Sequence, residues 1–119
     1  MLKIATILPY KENYSNKKAG AASLWVKDFL KYSKYKKNNL IYGSTYYKPY
    51  LSKNYININI KNLNSKFYSS TNEYLKIIIK DLNKKNFDII EVHNRPNIIF
   101  ELSLKINSKY ILYLHNDPR

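Results

Sequence analysis

Phe87-Asp88-Ile89-Ile90-Glu91-Val92-His93-Asn94-Arg95-Pro96 has the form of one buried strand and its exit turn. A short apolar, β-branched run suits a strand covered on both faces, and it breaks into a polar cluster closed by proline. The pattern returns once, where Tyr110-Ile111-Leu112-Tyr113-Leu114 leads into His115-Asn116-Asp117-Pro118. His93 and His115 are the chain's two histidines, and each precedes an asparagine. Open parallel sheets bind ligands beyond the carboxyl ends of their strands, so titratable clusters repeated at that place mark a candidate site.

The rest of the chain alternates strands and helices around these runs. Lys3 to Leu8 is apolar, ends at Pro9 and reads as the first strand; Tyr10 to Lys18 reads as a loop. Ala19-Gly20-Ala21-Ala22-Ser23 opens a helix with Ala22, Trp25, Phe29 and Tyr32 at helical spacing and Val26, Leu30 and Ser33 beside them, closing near Lys34 to Lys37. Asn38 to Thr45 reads as a second strand. Tyr55 to Ile60 alternates strictly and reads as a third, with one wet face and a place near a sheet edge. Between Ser69 and Lys85 a second helix carries the stripe Tyr74, Leu75, Ile78, Ile79 and Leu82, and Ser70-Thr71-Asn72-Glu73 offers capping side chains. Pro96 to Asn107 reads as a third helix, with Ile99, Leu102 and Ile106 on one side. This order predicts an α/β fold, a Rossmann-like, doubly wound and mostly parallel sheet. The last strand has no helix after it, so the sequence reads as one that stops in the middle of a fold.

With 119 residues the chain is one small domain with room for its own core, and too short for a two-domain enzyme. Cysteine is absent, which excludes a disulfide scaffold and a thiolate metal site and suits a reducing cytosol. The first nine residues do not read as a secretory leader, and no window approaches the roughly 18 apolar residues that cross a bilayer.

The net charge of +13 invites a nucleic-acid or anionic-membrane reading. The lysines, however, are spread over the whole length, and Arg95 and Arg119 alone offer a bidentate guanidinium. Lys, Asn, Ile and Tyr are abundant together, and all four are spelled by A/T-rich codons, so genome bias accounts for the charge and no nucleic-acid partner is expected.

Two clusters offer chemistry. Lys17-Lys18-Ala19-Gly20-Ala21-Ala22-Ser23 would let an anion approach the N–H groups of a helix start, although small residues at that place equally suit a helix packed tightly on the sheet. At the strand end, alternation puts Glu91 and His93 on one side, where the carboxylate would orient the imidazole; the alternative is a turn in which Asn94 caps a helix begun by Pro96. His115 is placed to donate to a substrate hydroxyl or phosphate, with Asp117-Pro118 turning the chain behind it. Neither histidine has the neighbours of a metal site.

Taken together, Ile7-Leu8-Pro9, Ala19 to Ser23, Phe87 to Pro96 and Leu114 to Pro118 resemble the amino-terminal domain of bacterial retaining glycosyltransferases of family 4, enzymes of the two-Rossmann-domain GT-B architecture. The resemblance covers nearly all of this chain and the first part of such an enzyme. It implies a cytoplasmic, often membrane-peripheral enzyme that moves a sugar from a nucleotide-sugar donor to a saccharide or lipid-linked acceptor without a metal or other cofactor, in cell-envelope polysaccharide or glycolipid synthesis. Carried over, Ala19, Gly20 and Ala21 approach the donor diphosphate and His115 contacts the transferred sugar as the catalytic residue. His93, Asn94, Arg95, Asn116 and Asp117 fall to the acceptor. The carboxyl-terminal, nucleotide-sugar-binding domain has no counterpart in these residues, so the chain alone is expected to be inactive. The competing expectation is a small basic α/β module that docks on nucleic acid or an anionic membrane.

Overall fold

The computed structural model describes residues 2–60 and 70–115. Five strands and three helices follow in the order β1 (Ile4–Ile7), α1 (Ala21–Tyr32), β2 (Asn39–Gly43), β3 (Tyr55–Asn57), α2 (Ser70–Lys85), β4 (Ile89–His93), α3 (Pro96–Ser103) and β5 (Lys109–Tyr113), with a single 3-10 turn at Lys36–Asn38 before β2. All strand pairs are parallel, and the sheet order is β3-β2-β1-β4-β5. The chain therefore builds outward from β1 in one direction and then from β4 in the other. This is the doubly wound, Rossmann-like layer, and its topological switch lies between β1 and β4.

Alternation along the strands divides the core in two. Ala5, Ile7, Tyr42, Ile90 and Val92 face α2 and α3, where Tyr74, Leu75, Ile78, Leu82, Ile98 and Leu102 close over them. Leu8 and Ile41 face α1 and meet Ala22, Val26 and Leu30, with Tyr14 from the loop after β1. Every residue of β1 is buried, as a strand covered on both faces requires.

Several boundaries move from their expected places. The first helix begins at Ala21 and ends at Tyr32, so of the lysines read at its end Lys36 and Lys37 fall in the 3-10 turn and Lys34 in the turn before it. Its core face is Ala22, Val26 and Leu30; of the residues read at helical spacing, Phe29 and Tyr32 are exposed, and Phe29 stacks on Trp25 at 4.9 Å. The third strand pairs only through Asn57, and it is an edge strand as its alternation predicted. The third helix stops at Ser103, although Ile106 still packs on the core. Ser70-Thr71-Asn72-Glu73 forms the first turn of α2 itself. At the other end of that helix Asn86 takes a left-handed φ of 51° and donates its N–H to the Leu82 carbonyl at 3.1 Å, an αL stop. β5 forms the second sheet edge, and Ile111 and Leu112 on it, with Leu114 just beyond, are more than a third exposed.

Candidate functional site at the carboxyl rim

The two histidines come together. His93 is the last residue of β4 and pairs in register with Tyr113 of β5, so His115 emerges one turn of the pleat beyond it. The Asn94 side-chain carbonyl accepts the His115 backbone N–H at 2.7 Å, and the Asn94 N–H donates to the Tyr113 carbonyl at 2.8 Å. Both bonds depend on Asn94 holding a φ of 60°, which asparagine tolerates better than most residues. His93 Nδ1 then lies 2.6 Å from His115 Nε2. The ring planes are within 4° of parallel with centroids 4.8 Å apart. Two ring radii plus that hydrogen bond account for the separation, so the imidazoles meet edge to edge in one plane. Trp25 of α1 roofs the pair at 5.5 Å from His93 and 5.6 Å from His115, and Tyr113 lies 5.0 Å from His93.

His93 is fully buried and His115 half-buried. Burial, reinforced by neighbouring His115, pushes His93 down to about 3, so its ring is neutral at neutral pH. Its Nε2 is buried with no hydrogen-bond partner. A buried N–H without an acceptor costs more than a bare lone pair, so the proton of His93 belongs on Nδ1, donated to His115 Nε2. His115 then keeps its own proton on Nδ1. Since His93 reaches no solvent, a bound molecule meets this pair through His115.

Glu91 does not orient His93. It lies one pleat further back, where Thr6 Oγ1 is 2.9 Å from its Oε1 and the Tyr113 hydroxyl donates to its Oε2 at 3.3 Å. Thr6 Oγ1 is also 3.0 Å from Asn39 Oδ1. Burial raises the Glu91 carboxyl, opposed by the bonds from Thr6 and Tyr113. Nor does Asn94 cap α3: that helix starts at Pro96 with Arg95 at its N-cap position and no side-chain cap. The Arg95 guanidinium is exposed and donates to the Asn94 carbonyl at 2.9 Å. Asn116 and Asp117 lie outside the described residues.

The small-residue helix start already holds an anion, and it is the chain's own. Glu12 Oε2 accepts the Ser23 N–H at 2.6 Å, so its carboxylate sits on the positive end of α1. Gly20, at φ −83° and ψ 173°, needs no glycine backbone. What matters is the missing side chain, because a Cβ there would collide with the Glu12 carboxylate. Ala19 pairs with Asn13 in an isolated bridge that closes the loop between them. Nothing in the spacing of Glu12 announced this role, which depends on the loop folding back over eleven residues.

A cavity of about 510 Å³ opens at the ends of β1, β2 and β3, away from the histidines. Its walls are fixed by Gly43, where the absent Cβ lets the Tyr55 ring cross β2, and by the Tyr55 hydroxyl, which meets Thr45 Oγ1 at 2.6 Å and Asn57 Oδ1 at 2.8 Å. Thr45 Oγ1 also accepts the Tyr14 N–H at 3.0 Å, tying the loop after β1 to the loop after β2.

Among the described residues no group of three or more His, Cys, Asp or Glu stands close enough to hold a metal, and no helix is long and apolar enough to cross a membrane. No family model, no curated protein and no solved structure matches this chain. What the structure establishes is a small α/β domain, with a five-stranded, all-parallel sheet of Rossmann-like order.

Proposed function

We propose that this chain is the acceptor-binding half of a retaining glycosyltransferase, which moves a sugar from a nucleotide-sugar donor to a saccharide or lipid-linked acceptor. The observation that carries the reading is the hydrogen-bonded His93–His115 pair at the carboxyl rim, beside the topological switch. Neutral His93 fixes the His115 tautomer by donating to its Nε2, which leaves the His115 Nδ1–H to donate to a hydroxyl of the transferred sugar. The donor diphosphate competes with the Glu12 carboxylate for the N–H groups at the start of α1, with Ala19, Gly20 and Ala21 allowing close approach. Asn94 and exposed Arg95 stand next to His115 on the acceptor side. A second nucleotide-binding domain completes the cleft in this reading, and the metal-free mechanism needs no further cofactor.

Titrating UDP-glucose into the isotopically labelled chain is expected to shift the Ser23 amide and the His115 ring resonances. Expressed with a nucleotide-binding partner domain, the chain is expected to support sugar transfer that His115→Ala abolishes. Undisturbed Ser23 and His115 signals, or unchanged transfer by the variant, remove this reading. Retention on duplex DNA that weakens with salt at a log-log slope near ~0.9 per phosphate neutralised would instead favour a basic docking module.

A further inference from the structure

We infer that the cavity at the ends of β1, β2 and β3 binds a phosphorylated sugar, with Lys11 and Lys18 on the phosphate and the surrounding tyrosines against the sugar ring. The inference deepens the glycosyl-transfer reading by naming the acceptor's chemical class, and it rests on that reading only for the ligand's role as acceptor.

The charge of the cavity comes first. Lys11 and Lys18 line it together with Tyr10, Thr45, Tyr46 and Tyr47, and among the described lining residues there is no carboxylate. Among the described residues neither lysine makes an ion pair. Each ammonium instead lies over a tyrosine of the same wall, Lys11 over Tyr10 and Lys18 over Tyr47, both at 5.7 Å from the ring centroid. Such contacts supply roughly 0.5–1 kcal/mol at exposed sites and leave both positive charges uncompensated. Two uncompensated cations in one concave wall favour a ligand carrying two negative charges, and a phosphate monoester carries about that charge at neutral pH.

The backbone points the same way. Both lysines hold left-handed φ angles, 68° at Lys11 and 54° at Lys18, which cost an L-residue roughly 1–2 kcal/mol each. The cost is met by the surrounding loop: the Asn13 to Ala19 bridge, the Tyr14–Thr45 hydrogen bond, and the Tyr46 N–H donated to Asn13 Oδ1 at 3.0 Å. Strain of this kind gathers where a side chain must be aimed.

The rest of the wall suits a sugar more than a bare ion. The volume falls within the ~300–1,000 Å³ of small-molecule sites. Tyr46 is 86% exposed and meets Tyr47 edge to face at 5.1 Å, so aromatic faces stand open to the C–H face of a pyranose. Ser44 and Asn59 add hydroxyl and amide groups for sugar hydroxyls.

The test is a heteronuclear NMR titration of the 119-residue chain, at physiological salt, with glucose 6-phosphate, glucose, glucuronate and inorganic phosphate. Glucose 6-phosphate is expected to bind saturably, shifting the Lys11, Lys18 and Tyr47 amides, with each other probe at least ~10-fold weaker. The double variant Lys11→Asn/Lys18→Asn removes both charges with a residue that tolerates left-handed backbone, so its fold, checked by spectral dispersion, is expected to persist while affinity falls at least ~10-fold. Lys27→Gln/Lys31→Gln on α1 removes the same charge elsewhere and is expected to leave affinity unchanged. Equal loss in that control reduces the effect to general basicity and overturns the inference. So does binding of inorganic phosphate or glucuronate as tight as that of the sugar phosphate. Sugar-phosphate binding without any response of Ser23 and His115 to UDP-glucose keeps the cavity assignment and removes the transferase reading; the reverse pattern removes the cavity assignment alone.

Discussion

His93 Nδ1 and His115 Nε2 stand 2.6 Å apart in one plane, so two imidazoles from the ends of neighbouring strands are joined by a single proton. The buried ring of the pair pays for its place with its basicity, since burial and then the second imidazole bring His93 down to about 3.

That shift makes stability depend on acid. Between about 3 and the ordinary histidine value of 6.5 the unfolded chain binds a proton at His93 that the folded chain refuses. The His93 contribution is therefore fully present above 6.5 and is lost as pH drops through this window, by about 1.4 kcal/mol per pH unit at its steepest. Urea denaturation at pH 7, 6, 5 and 4 measures the slope. His93→Asn, which keeps a donor near the Nδ1 position, is expected to lower stability at pH 7 and to flatten the profile; an unchanged slope would place the acid sensitivity elsewhere.

Glu91 responds in the opposite sense. Its folded carboxyl is raised by burial above its ordinary 4.5, so its contribution is fully present below that pH and is lost as pH rises through the folded value. Glu91→Gln keeps the shape and the hydrogen bonds without the charge, and it is expected to match or exceed the parent at pH 7 while gaining nothing at pH 4. Thr6→Val strips the bridging hydroxyl from Glu91 and Asn39 and is expected to cost about 1–3 kcal/mol. Thermal melts at the two pH values separate these effects.

Gly20 and Glu12 should behave as one unit. Gly20→Ala drives a methyl group into the Glu12 carboxylate and dislodges it from the Ser23 N–H, with an expected loss of about 1 kcal/mol, typical of a lost helix cap. Glu12→Ala loses the same bond and a similar amount. The double variant is expected to be little worse than either single one, since the second change removes nothing that remains. Additive losses in denaturant midpoints would mean that Gly20 serves a different purpose.

Much of the fold was legible because its signals are local. The β-branched runs at Ile4–Ile7 and Ile89–His93 and the stripe Tyr74, Leu75, Ile78 and Leu82 carry their periods in adjacent residues, and those periods survive folding unchanged. Errors gathered where a distant group intervened. Trp25 packs on His93 and Tyr113 at the rim and stacks on Phe29, which stays exposed, and the Ser23 N–H in the first turn of α1 is taken by Glu12.

The candidate site divides along the same line. That His93 and His115 end strands was written in the order of residues, because a polar turn after an apolar run needs no partner to be recognised. That they touch depends on the parallel register of β4 and β5 and on the left-handed turn at Asn94; that Glu91 serves Thr6 depends on β1 lying beside β4. The lysines of the cavity, the carboxylate at the head of α1 and the neutrality of His93 likewise exist only after folding. Proximity, exposure and proton affinity are set by groups far apart along the chain, whereas secondary structure is set by near neighbours.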